Sequence, residues 1–146
     1  MTVLITGGCG YIGAHVVHAL HEAGENVVVV DDLSYGKSSR IGDSRLYGMD
    51  VSAAGADARL AEILRNENVD AVIHFAARKQ VGESVEKTLW YYQQNINGLL
   101  NVLQAMKDAE VQKLVFSSSA ATYGVPPVDV VPEDVQPMVP INPYGQ

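Results

Sequence analysis

The sequence is short of the residues that would place it in several common classes. It has a single cysteine, Cys9, so no internal disulfide can form and nothing points to an oxidising compartment. Lys and Arg number 10 against 17 Asp and Glu, for a net charge of −7. A chain with so few clustered cations is unsuited to the phosphate backbone of a nucleic acid. No apolar run approaches the roughly 20 residues of a membrane helix, and "MTVLIT" lacks the basic region of a secretory leader. No internal repeat or low-complexity tract is present. The expectation is a soluble, cytoplasmic domain, and 146 residues at 47% hydrophobic content suffice for one domain with its own core.

What is present is an alternation of two patterns. "TVLIT" (2–6), "NVVVVDD" (26–32), "DAVIHFAA" (70–77) and "KLVFSSS" (113–119) are β-branched and almost continuously apolar, as in strands buried on both faces of a parallel sheet. A weaker strand fits "SRLYGMDV" (44–51). Between them lie helical stretches: 12–23, ending at the natural C-cap Gly24, and 57–67, with Leu60, Ile63 and Leu64 on one face. A long helix over about 85–109 carries Ile96, Leu99, Leu100 and Leu103 at helical spacing, with valines and alanines on a second face, so two covered sides are expected. Residues 124–143 hold six prolines without periodicity and read as a loop. Five such β and α units give an α/β fold, a doubly wound parallel sheet.

The first strand runs straight into "TGGCGYIG", which sets Gly7, Gly10 and Gly13 at the mouth of the first helix. Such glycines serve a tight turn, a close backbone approach to a pyrophosphate, and helix–strand packing. The helix start then offers N–H groups to phosphates. Glycines are also ordinary turn residues, but strand, triplet and helix in this order favour a dinucleotide site of the Rossmann type. Gly7, Gly10, Tyr11, Ile12 and Gly13 are its candidates. Asp31 ends the second strand eighteen residues after Gly13. A carboxylate there accepts from ribose hydroxyls and repels a 2′-phosphate, and no cation occurs before Lys37, which favours NAD over NADP. Asp32 adjoins it, and Asp50 and Val51 are placed beside the adenine.

Ligands of such sheets lie beyond the carboxyl ends of the strands. Phe75, Ala76, Ala77 and Lys79 follow the fourth strand; the alanines let a cofactor lie close and Lys79 supplies a cation. "SSS" at 117–119 is odd for a strand and marks either a functional end or simply a loop start.

Together, "TGGCGYIG", "VIHFAARKQVGESV", "WYYQQNINGLL", "KLVFSSSAATYG" and "INPYG" resemble the extended short-chain dehydrogenase/reductase family, most closely its branch that epimerises UDP-hexoses at C4. The resemblance implies NAD as cofactor, a UDP-sugar substrate, a homodimer, and catalysis by Ser119 and Tyr144, with Asn95 and Ser117 at the cofactor. It further implies a lysine four residues after Tyr144, beyond Gln146, and a C-terminal substrate domain that these residues do not contain. Sugar-nucleotide dehydratases of the family carry an Asp-Glu pair where this chain has Ala120-Ala121, which counts against dehydration. "INPYGQ" reads as a helix start, since Asn can cap and proline suits a first turn. Residues 1–146 are therefore expected to be the NAD-binding part, with its sheet incomplete at the C-terminus, of a chain cut inside its catalytic helix and inactive as it stands. A nucleotide-binding remnant or regulator without catalysis is the competing reading.

Other residues are set aside. His15, His18 and His21 spread around a helix rather than converging, and no acid or thiol completes a metal set, so no metal is expected. His74 reads as a polar residue near a strand end. Cys9 lacks a basic neighbour and reads as an inert thiol. Trp90, Tyr91 and Tyr92 read as packing or interface residues.

Overall fold

The computed structural model describes residues 1–146. Its five strands are β1 (Thr2–Thr6), β2 (Asn26–Asp31), β3 (Arg45–Gly48), β4 (Ala71–His74) and β5 (Lys113–Phe116), all parallel, in the order β3-β2-β1-β4-β5. The helices are α1 (Tyr11–Glu22), α2 (Ala56–Asn66), α3 (Val81–Glu86) and α4 (Thr88–Asp108).

The near-continuous hydrophobicity of the central strands follows from packing on both sides. Val3, Ile5, Val27 and Val29 pack with Val17 of α1 on one face, while Leu4, Val28, Val30 and Val72 pack with α2 and α4 on the other. Alternate residues of each strand thus enter opposite cores, and the buried polar side chains of these strands, Thr6, Asp31 and His74, stand at their carboxyl ends. The second core includes Leu60, Ile63 and Leu64, as their spacing predicts.

Three expectations are revised. The long helix is two, α3 and α4, parted at Lys87, whose φ of −123° and ψ of 46° are not helical. The face of α4 that enters the core is the one bearing Tyr91, Gly98, Val102, Ala105 and Met106. Its leucine stripe points outward: Ile96, Leu100 and Leu103 are 51%, 56% and 42% exposed. The bulkier stripe loses because Gly98, whose missing Cβ would lie 3.2 Å from Val51 Cγ2, lets the helix approach closely on the other side. Strands β4 and β5 also stop earlier than the apolar runs suggest, so Phe75–Lys79 and Ser117–Ser119 leave the sheet as loops. Residues 124–143 form no strand or helix; they are tied back by one bridge, Gly124 to Val139.

No helix is long and apolar enough to cross a membrane.

Candidate functional site

The carboxyl ends of β1, β2, β4 and β5 open on one cleft of about 620 Å³, within the range of ligand-binding pockets. Its walls bring together every site residue expected from the sequence.

Gly7, Gly10, Tyr11, Ile12 and Gly13 form the floor where β1 turns into α1. Gly7 has a φ of +71°, and a Cβ there would fall 2.7 Å from the Ala76 nitrogen; one on Gly13 would fall 2.3 Å from the Gly7 oxygen. Both neighbours are backbone and cannot give way, so only glycine allows this turn. The Gly10 position meets nothing closer than 3.2 Å, the Gly7 oxygen. The turn is built around its own backbone and the start of β4's loop, and it leaves the helix start bare: α1 has no side-chain cap. Uncapped N–H groups at a helix start suit phosphate oxygens.

Asp31 closes β2 and is buried. Its two oxygens accept from the Cys9 and Leu33 nitrogens, at 3.0 and 2.8 Å. Those bonds fix the carboxylate beside the glycine turn, and each oxygen keeps a lone pair for a hydroxyl donor. Asp32 is spent differently. One oxygen accepts from Ser34 N and Oγ and the other from Arg78 at 2.8 Å. Burial works against its charge, but these bonds outweigh it and lower its pKa.

Beside β3, Asp50 accepts from Ser52 N and Oγ, and Val51 sits between the cleft and the core. Phe75, Ala76 and Ala77 line the wall beyond β4, and Lys79 is exposed at its rim. Asn95 of α4 clamps the Arg78 backbone, accepting from its nitrogen at 2.8 Å and donating to its oxygen at 2.9 Å.

Ser117 and Ser119 line the cleft with Tyr144. Ser117 N donates to His74 O, continuing the line of β5. Ser119 Oγ accepts from Ala121 N at 3.1 Å and caps a single 3-10 turn, Ala120–Tyr123. The Tyr144 turn is pressed on that segment: a Cβ on Gly145 would fall 2.5 Å from the Ala121 oxygen. Asn142 Oδ1 accepts from Gly145 N at 2.9 Å, the capping contact expected of that residue. A serine hydroxyl and a phenol thus line the same cleft as Asp31.

His15, His18 and His21 are exposed, and no group of three metal-binding side chains exists. Cys9 is fully buried, and burial together with the Asp31 charge pushes its thiol up to about 11. Tyr91 is buried, with its hydroxyl accepting from Gln80 N and donating to Glu83. His74 is more than a polar strand end: it is buried, bonded to Thr6 Oγ1 at 2.7 Å, and burial lowers its pKa to about 4.

Sequence reasoning missed Arg78, which lines the cleft and donates to Gln94, another lining residue, at 3.0 Å. Arg78 stands next to Lys79 in a stretch already singled out, but its partners are distant in sequence, and only the fold brings them to it.

The family model described as "NAD dependent epimerase/dehydratase family" matches residues 3–146. A UDP-glucose 4-epimerase of Lactobacillus helveticus is 47% identical over all of this chain, which spans 43% of that protein's length. Among solved structures, UDP-glucose 4-epimerase from Brucella ovis in complex with NAD superposes with a TM-score of 0.92 at 41% identity, covering 99% of this chain and 43% of that one. The enzyme from Stenotrophomonas maltophila, with bound NAD and formylated UDP-arabinopyranose, gives 0.91 at 40% identity, covering 99% and 44%. The chain therefore spans a little over two fifths of the relatives it matches.

Proposed function

The chain belongs to the NAD dependent epimerase/dehydratase family, and from that premise we propose that residues 1–146 are the NAD-binding domain of an enzyme that interconverts UDP-glucose and UDP-galactose. The observation that carries the reading is the single cleft that the glycine turn and Asp31 line together with Ser119 and Tyr144. The residues present fit a dinucleotide: a turn that admits no Cβ, uncapped N–H groups for the diphosphate, and a fixed carboxylate for the ribose hydroxyls.

NAD, held by the glycine turn and Asp31, would supply a reversible hydride acceptor for C4 of the sugar, so that no net oxidation would result. The protein's part is to hold and move one proton. Tyr144 takes it from the 4′-hydroxyl as the 4-keto sugar forms and returns it after the sugar has turned over. Ser119 hydrogen-bonds the same oxygen, and its cap contact with Ala121 N fixes where the hydroxyl sits. Asp31 holds the adenosine ribose, with Asp50 and Val51 near the adenine and Phe75, Ala76, Ala77, Lys79, Asn95 and Ser117 along the rest of the cofactor. The outward leucine stripe of α4 is the surface through which we place a homodimer, and the cytoplasm is the compartment that suits a buried free thiol and a nucleotide-sugar substrate.

The test is an assay of the whole protein with UDP-galactose. Tyr144→Phe is expected to lower kcat by roughly 10²–10⁴, the usual worth of a positioned acid–base group, with NAD binding kept. Asp31→Ala is expected to weaken NAD binding by about tenfold or more, as loss of hydrogen bonds to a charged group does. Full interconversion by Tyr144→Phe would overturn the assignment.

A further inference from the structure

Nothing in the reading above gives Arg78 a task, yet no side chain in the cleft is held by more partners. Its Nε donates to Gln94 Oε1 at 3.0 Å, one terminal nitrogen to Ser34 Oγ at 2.6 Å and the other to Asp32 Oδ2 at 2.8 Å. The rings of Tyr35 and Trp90 lie 5.5 and 5.3 Å from its Cζ. Gln94 passes the connection on, donating to Ser52 Oγ at 2.7 Å. One guanidinium thus joins the loop after β2, the helix α4 and, through Gln94, the loop after β3. The ion pair is largely covered, with the Arg78 and Asp32 side chains 14% and 28% exposed, so salt and water weaken it less than a surface pair.

The sheet order decides where this bar lies. β2 and β4 are the two neighbours of β1. A side chain that starts beyond β4 and ends on Asp32 beyond β2 has to cross the carboxyl end of β1, which is where the glycine turn begins. Only three of the five guanidinium N–H groups have partners in the protein, so two could donate to an anionic ligand in the cleft. Lysine, whose three donors share one nitrogen, does not reproduce the spread planar fork that reaches Gln94, Ser34 and Asp32.

We propose that Arg78 is a latch over the cofactor cleft: its pair with Asp32 ties the loop after β4 to the loop after β2 above the glycine turn, and a bound dinucleotide leaves only when that pair opens. The latch rests on the reading that this cleft holds NAD. It acts on retention, and Arg78 is a positioning residue that leaves the proton chemistry to Tyr144 and Ser119.

The experiment loads the whole protein with NADH, adds excess ADP-ribose, and follows the loss of bound-NADH fluorescence as the release rate. Arg78→Met and Asp32→Asn should each speed release by about tenfold or more, the scale expected when a charge-assisted hydrogen bond is lost. Association should change by less than about threefold, since mutations within one site act mainly on departure. The double variant should release no faster than the faster single one, because the pair is the unit. Arg78→Lys should restore only part of the retention, and Ser34→Ala, which leaves the ion pair in place, should fall between wild type and Arg78→Met. Equal release from wild type and Arg78→Met, or fast release from Arg78→Met with Asp32→Asn unchanged, overturns the latch alone. A wild-type protein that takes up no NADH removes the cofactor reading and the latch with it.

Discussion

His74 shows what burial does to one side chain. Packed at the end of β4 against Phe116, with its ring 5.9 Å away, and bonded to Thr6, it is held neutral in the folded chain, with a pKa of about 4. In the unfolded chain it titrates at its ordinary 6.5. Between those values the unfolded state takes up a proton that the folded state refuses. Stability is therefore complete above pH 6.5 and is lost as pH falls towards 4, by about 3 kcal/mol in all and about 2 kcal/mol between pH 7 and pH 5. Urea titrations across this range should show that slope, and His74→Gln, which keeps a polar atom but cannot charge, should flatten it. Identical slopes for the two proteins would mean that His74 does not control acid stability. At this scale the sequence is legible where one residue type alone satisfies a local demand. Gly7 and Gly13 are required by backbone contacts within the turn and its immediate wall, and Asp31 stands at a fixed distance from them. Arg78 is not legible, because its partners Asp32 and Ser34 lie 46 and 44 residues away and nothing local distinguishes it from Lys79.

Elements are legible by period and ambiguous by face. All five strands and the helices α1 and α2 follow from apolar runs and helical spacing, within a residue or two for most. The long helix was harder, since α4 carries two apolar faces and periodicity cannot say which is nearer the sheet. Gly98 and Ala105 decide it by allowing close approach, and the leucines are left outside. This exposed stripe is where the proposed homodimer is tested. The whole protein is expected to sediment as a dimer at micromolar concentration, and the double substitution Leu100→Glu, Leu103→Glu to sediment as a monomer. Because both positions are exposed, the folded monomer should keep its stability to within roughly 1 kcal/mol. A wild-type monomer, or a double variant that still pairs, would assign the stripe no such role.

The whole molecule is a sheet whose middle strand is the first of the five in sequence. β1 pairs with β2 on one side, Thr2 opposite Asn26, and with β4 on the other, Val3 opposite Ala71. Parallel pairing forces each connection to travel the length of the sheet, which is why the cleft gathers residues from Gly7 to Tyr144. That gathering was legible once the alternation of strand and helix had been read, and the bar across the cleft was not, because it depends on which strands are neighbours.

The same order has a consequence for the chain as it leaves the ribosome. β1 is made before both of its neighbours, and one of its two sides stays vacant until a partner 68 residues later has been translated. A nascent chain whose exposed part ends before Ala71 has a half-paired central strand and lacks α4, the element that closes the larger core. Such long-range pairing is slow and leaves apolar surface uncovered meanwhile. Stalled chains whose exposed part ends before Ala71 should be cut rapidly by protease, and resistance should rise sharply once residues through Asp108 have emerged. A gradual rise, in step with each new strand, would show that β1 and β2 hold together without their later neighbours.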